Sequence, residues 1–229
     1  VYIPREGTSV GLFDLDPVEV LPGPQGTLYG RAALGGTVNV AFNRPGDTFA
    51  TDALLEVGDP GLVHATVSQD LPLTERLGLR LAADYIRDDG YQATGADARD
   101  DAGLRVSALY TPRDDLSLYL WVHGAHKDGA SPNLVRRGYN GGTFDGDPEA
   151  FDNDDPWNDV ITPTEPAAGE QDYDNVVVGA ELDWQIGDFT VTWVPGYFRL
   201  DWEGNYWLEN LPSLLTADYE QVTNELRVA

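Results

Sequence analysis

From Ala53 onward, apolar and polar positions alternate along the chain. Leu77, Leu79, Leu81, Ala83 and Tyr85 are interleaved with Gly78, Arg80, Ala82 and Asp84. Successive side chains of a strand point to opposite faces, so a period of two predicts strands with one apolar face and one mixed face. Leu104, Val106, Ala108 and Tyr110 repeat the pattern. Leu116, Leu118, Leu120 and Val122 do so again, against Ser117, Tyr119, Trp121 and His123. Ala53–Val57 and Val63–Gln69 flank Gly58-Asp59-Pro60-Gly61, a tight hairpin. The clearest hairpin is Val176–Ile186 and Phe189–Leu200, joined by Gly187-Asp188. A two-residue turn sets the register. It pairs Ile186 with Phe189, Trp184 with Val191 and Leu182 with Trp193 on an apolar face, and Gln185 with Thr190 and Asp183 with Thr192 on a polar one. The pattern predicts about eight strands of roughly 9–12 residues, long enough to cross a bilayer when tilted. The last strand begins near Gln221, and no helix exceeds a turn or two.

Connections alternate in length. Leu71–Arg76, Thr111–Asp115 and Gly187-Asp188 are short, whereas Asp88–Ala102, Lys127–Tyr173 and Glu203–Glu220 are long. Outer-membrane barrels have that rhythm, with aromatic girdles that Tyr85, Tyr110, Trp184, Trp193 and Tyr197 would supply. Arg80, Asp84, Arg105, Glu181, Asp183 and Glu225 would then face inward. A soluble β-sandwich also alternates. That alternative is a surface module binding carbohydrate through Trp157, Trp202, Tyr206 and Trp207.

The segment before the strands is of another kind. Residues 18–45 read VEVLPGPQGTLYGRAALGGTVNVAFNRP. Two β-prone stretches, Val18–Leu21 and Thr37–Phe42, enclose a run in which glycine permits positive φ and proline removes donors, so the chain doubles back in tight turns. Gly23, Pro24, Gln25, Gly26, Tyr29, Gly30, Arg31, Gly35, Gly36, Asn39, Arg44 and Pro45 spell a phrase that closely resembles the end of the plug domain of TonB-dependent outer-membrane receptors. Asn224-Glu225-Leu226-Arg227 resembles a recurrent barrel-strand phrase of the same family. The resemblance implies an all-β fold: a partial antiparallel transmembrane β-barrel (residues 47–229) preceded by the C-terminal part of a plug (residues 1–46). It implies residence in the bacterial outer membrane and contact with its lipid. A TonB-type complex would drive active uptake of a scarce solute, a ferric siderophore foremost, otherwise cobalamin or an oligosaccharide. In the family, plug arginines pair with inward barrel carboxylates, which marks Arg31 and Arg44, with Glu225 as a partner. The chain departs from the pattern at Pro22, where the family usually has arginine.

Composition narrows the chemistry. The formal charge is −25, from 39 acidic against 14 basic residues. Phosphate recognition needs clustered Lys/Arg, so nucleic acid is excluded as a partner. There is no cysteine and therefore no disulfide. There is no methionine either, and the opening Val1-Tyr2-Ile3-Pro4 carries no basic n-region or apolar h-region, so an internal stretch of a longer precursor is expected. Loop Lys127–Tyr173 is acidic and holds aromatics; within it Tyr139, Asp154, Asp155 and Trp157 are the candidate ligand-facing residues. Its Asp145-Gly146-Asp147 cluster lacks the spacing of a calcium loop. His123 and His126 lie three apart on a strand and face opposite sides, so no metal site is expected. All three histidines are expected to be hydrogen-bonded or solvent-facing. No nucleophile elbow, phosphate-binding loop or zincin motif occurs, and neither an enzyme nor a cofactor is expected.

Overall fold

A computed structural model describes residues 11–23, 36–90, 97–130, 139–140, 143–144, 169–208 and 211–229 of the chain. Strands β1 (Glu19–Pro22) and β2 (Gly36–Asn39) pair with each other as a ribbon. The ribbon continues toward the large sheet through a bridge between Leu15 and Phe42 and through backbone bonds Asp16–Ala41 and Asn43–Asp14.

Strands β3 (Ala50–Gly58), β4 (Leu62–Thr74), β5 (Leu77–Asp88), β6 (Arg99–Arg113) and β7 (Leu116–Ala130) follow one another in space as in sequence. Two-residue strands β8 (Tyr139–Asn140) and β9 (Thr143–Phe144) pair apart from them. The large sheet resumes with β10 (Glu170–Ile186), β11 (Phe189–Leu208) and β12 (Leu211–Val228). All eight of its strands are antiparallel neighbours, with β3 and β12 as edges. No helix occurs among the described residues.

The β10–β11 register is the one the turn dictates, including Ile186 opposite Phe189 and Asp183 opposite Thr192. Gly187 sits at φ 61°, as a turn with glycine first requires. Strand ends differ from expectation. β10, β11 and β12 run 17, 20 and 18 residues, and the last begins at Leu211 rather than near Gln221. The expected loop Glu203–Glu220 is thus mostly strand, and the other long connections shrink to 89–98 and 131–169. The reason is environmental. A strand needs alternation only where one face meets lipid, and an apolar belt is only about 25 Å tall. Beyond it, pairing continues with charged residues on the outward face: Asp172 and Asp174 on β10, Asp201 and Glu203 on β11, Asp218 and Glu220 on β12.

The two faces of the sheet are inverted relative to a soluble protein. Val57, Leu104, Val106, Leu120, Val122 and Trp193 on the outward face are 41–75% exposed. On the inward face Ser68, Asp70, Arg80, Arg105, Ser107 and His123 are buried. Scattered surface apolars are ordinary, but a continuous apolar face is not. Among the described residues no second sheet covers that face, which removes the sandwich alternative.

Candidate functional site

The ribbon meets the inward wall where β4, β5, β6 and β7 carry small or charged residues. Alternation puts Ser68, Asp70, Arg80, Ala82, Gly103, Arg105, His123 and Ala125 on that wall. Gly103 leaves a hollow that the Phe13 ring fills; a Cβ there would overlap the ring edge. Gly11 lies beside Ala125, where a Cβ would find room at 3.4 Å. Pro45 packs against Gly78, and the Gly46 amide donates to Asp70 Oδ1 at 3.0 Å.

At the centre is Asp14, a non-glycine residue in the left-handed region (φ 53°). Aspartate tolerates this region better than most residues do. Its carboxylate accepts from Arg80 Nη2 at 2.6 Å and Arg80 Nε at 2.9 Å, a bidentate grip, and from Asn43 Nδ2 at 2.9 Å. Arg80 also donates Nη1 to Asp70 Oδ2 at 2.7 Å and Nη2 to Ser68 Oγ at 2.8 Å. The side chains of Asp14, Arg80 and Asp70 are each no more than 10% exposed. Charge-assisted bidentate pairs of this kind are the strong ones. Removing one partner from a buried pair costs roughly 3–5 kcal/mol because the other charge is left uncompensated.

Arg105 lies diagonally beside Arg80 and takes its partners from the ribbon. It donates Nη2 to the Phe13 carbonyl at 2.7 Å and Nη1 to the Asp14 carbonyl at 3.2 Å. Its guanidinium stands 3.5 Å from the Phe42 ring centroid and 4.7 Å from that of Phe13. His123, across the β6–β7 ladder from Arg105, is fully buried against the same two rings. Neither of its ring nitrogens has a hydrogen-bond partner among the described residues. That corrects the expectation for His123; His64 does bond Glu56 at 3.0 Å and Asp84 at 2.9 Å, and outward His126 bonds Asp174 at 3.0 Å.

Further along the wall, Arg44 Nη2 lies 2.7 Å from Glu181 Oε1, and its guanidinium stands 4.6 Å from the Tyr119 ring. This pair is half open to solvent and is weaker by location. Glu225 sits on β12 beside Arg227 at 2.8 Å. Near the start of β10 and the end of β11 the wall turns aromatic: Tyr173 stacks on Trp202 at 5.3 Å, next to Phe198, Leu200, Val177 and Tyr219.

Of the glycine-proline phrase in residues 18–45, Gly23, Gly36, Asn39, Arg44 and Pro45 are among the described residues. Gly36 (φ 133°) lies where a Cβ would press the Leu21 carbonyl, and Asn39 donates to Glu19 at 3.3 Å. Pro24, Gln25, Gly26, Tyr29, Gly30, Arg31 and Gly35 lie outside the described residues, as do Asp154, Asp155 and Trp157; Tyr139 contributes backbone to β8. Phe13 and Asp14 carry no signal in the sequence beyond lying just before residues 18–45, whereas Phe42 and Asn43 fall inside that stretch without a role that the sequence assigns.

No family model matches the chain. Pesticin receptors of Yersinia pestis and Yersinia enterocolitica are 44% identical to it over 48 residues, 20% of this chain and 7% of theirs. Among solved structures, the ferric-catecholate import receptor Fiu of E. coli K12 superposes with a TM-score of 0.73 at 16% identity, covering 94% of this chain and 36% of that one. The ferric yersiniabactin uptake receptor FyuA of Yersinia pestis gives 0.73 at 19%, covering 94% and 33%. The P. aeruginosa receptor FpvA, bound to an iron-loaded pyoverdine, gives 0.73 at 17%, covering 93% and 29%. The chain thus has the fold of part of an outer-membrane receptor barrel of the TonB-dependent type, and it spans about a third of these receptors' length.

Proposed function

We propose that the chain supplies the end of the plug and the first strands of the barrel in a TonB-dependent receptor that imports a ferric siderophore across the outer membrane. Residues 1–46 are read as plug and 47–229 as barrel. The observation that carries the reading is a ribbon held by Asp14 and Phe13 on the polar inner wall of a sheet whose outer face is apolar and uncovered. Such a ribbon closes a water-filled lumen, and ion pairs that lose their partners together on displacement suit a closure that must open. The siderophores named for the similar structures favour that solute class. The aromatic wall at Tyr173 and Trp202, near the outer strand ends, would meet the solute before the plug moves, and a TonB-type complex would supply the pull.

Deletion of the gene tests the reading. Accumulation of radioactive iron from the strain's own ferric siderophore should fall in the deletion strain and return on complementation. Undiminished iron accumulation, with loss of cobalamin or oligosaccharide uptake, would replace the solute while keeping the architecture.

A further inference from the structure

We propose that Arg80, Arg105, Ser68 and His123 form a carboxylate-binding site on the inner wall, which Asp14 fills while the ribbon is docked and which a carboxylate-bearing solute takes once the ribbon withdraws. This rests on the uptake reading, because withdrawal is what vacates the site.

The two arginines are built differently. Arg80 is oriented by the wall itself: Asp70 takes Nη1 at 2.7 Å and Ser68 accepts from Nη2 at 2.8 Å. That leaves the Nε edge aimed at the ribbon, where Asp14 now bonds it at 2.9 Å. A guanidinium held from one side by its own strands is preorganised for a carboxylate on the other. Arg105 has no such support. Its hydrogen bonds go to the carbonyls of Phe13 and Asp14, and the rings over it are Phe13 and Phe42, all of them ribbon residues. Departure of the ribbon therefore strips Arg105 of every described partner while Arg80 keeps two. Around the vacated site two guanidinium groups face the carboxylate of Asp70, with Asp84 further along the same inner face of β5. His123 stands beside them with both ring nitrogens free of partners among the described residues. A vacated patch of this make-up recovers its lost interactions from an oxyanion that a guanidinium grips through two oxygens, and the Asp14 carboxylate on Arg80 is the intramolecular example.

The test uses the full-length receptor purified in detergent and sodium formate as probe, with sodium chloride at matched ionic strength as reference. In Asp14→Gly, formate should raise the thermal midpoint saturably, as a ligand that binds the folded state does, and chloride should not. The rise should disappear in Asp14→Gly combined with Arg80→Gln, and wild type should give no formate-specific shift. Equal responses to formate and chloride, or equal responses of wild type and Asp14→Gly, would overturn the site. If Asp14→Gly fails to assemble, Asp14→Ser removes the charge with a smaller disturbance and gives the same comparison. Iron accumulation is read separately, so a missing formate response in a strain that still imports iron removes the site and leaves the uptake reading intact.

Discussion

Single residues at the seam differ in what they hold, and the difference is measurable. Arg80 and Arg44 both bridge ribbon and wall, yet Arg80 is buried between Asp14 and Asp70 whereas Arg44 is 48% exposed. Arg80→Gln strands two carboxylates out of water and should destabilise ribbon docking by roughly 3–5 kcal/mol. Arg44→Gln should cost about 1 kcal/mol or less. Limited proteolysis of the ribbon reads both: Arg80→Gln should be cut far faster than wild type, Arg44→Gln almost as slowly. Gly103 supplies a steric counterpart. Its missing Cβ is the space that Phe13 occupies, so Gly103→Ala should loosen the ribbon by about 1–3 kcal/mol, as overpacking does. Adding Phe13→Ala removes the ring that clashes, so the second alanine should cost less in Gly103→Ala than in wild type. Additive losses in that double-mutant cycle would deny the contact. Alternation alone placed Arg80 and Arg105 on the inner face. Phe13 and Asp14 stayed hidden because a segment that docks by a few local contacts has no periodicity to betray its buried side.

At the scale of strands, legibility followed the solvent. Where one face meets lipid, the chain must alternate, and there the hairpin register of β10 and β11 could be written down residue by residue. Above the apolar belt both faces meet water, the pattern lapses, and Glu203–Glu220 read as loop although it is mostly paired strand. The ladder itself does not lapse, because its hydrogen bonds are made by the backbone. The same argument locates the belt for experiment. Leu120 on β7 points outward, 43% exposed, a few residues above the short turn at 114–115. Leu120→Arg in the full-length receptor should therefore cost about 2–4 kcal/mol of barrel stability in lipid. Leu120→Phe should be tolerated. The readout is the fraction of receptor in the outer membrane that keeps folded mobility on unheated gels. Equal recovery of the two variants would mean that this face is not lipid-exposed.

For the molecule as a whole, the arrangement is one of two solvents and a cork. The sheet places its apolar side outward and stores guanidinium, carboxylate and imidazole groups inward, so the free energy of the seam is electrostatic and steric rather than that of an oily core. Ion pairs suit a joint that must part, because a displaced partner can be exchanged for water, whereas interlocked apolar cores resist sliding. If transport requires the ribbon to leave the wall, a covalent tie across the seam must stop it. Gly11 and Ala125 offer the position: a Cβ on Gly11 would lie 3.4 Å from the Ala125 Cβ, near the separation a disulfide spans. The 229 residues contain no cysteine that would compete. In the full-length receptor, Gly11→Cys with Ala125→Cys should bind ferric siderophore normally but accumulate no iron while oxidised. A reductant should restore uptake, and either single cysteine should behave as wild type. Binding is the control that separates a locked joint from a misfolded one, since a barrel that still captures its solute at the outer mouth is assembled. Undiminished uptake by the oxidised pair would mean that the solute passes with this part of the ribbon still in place.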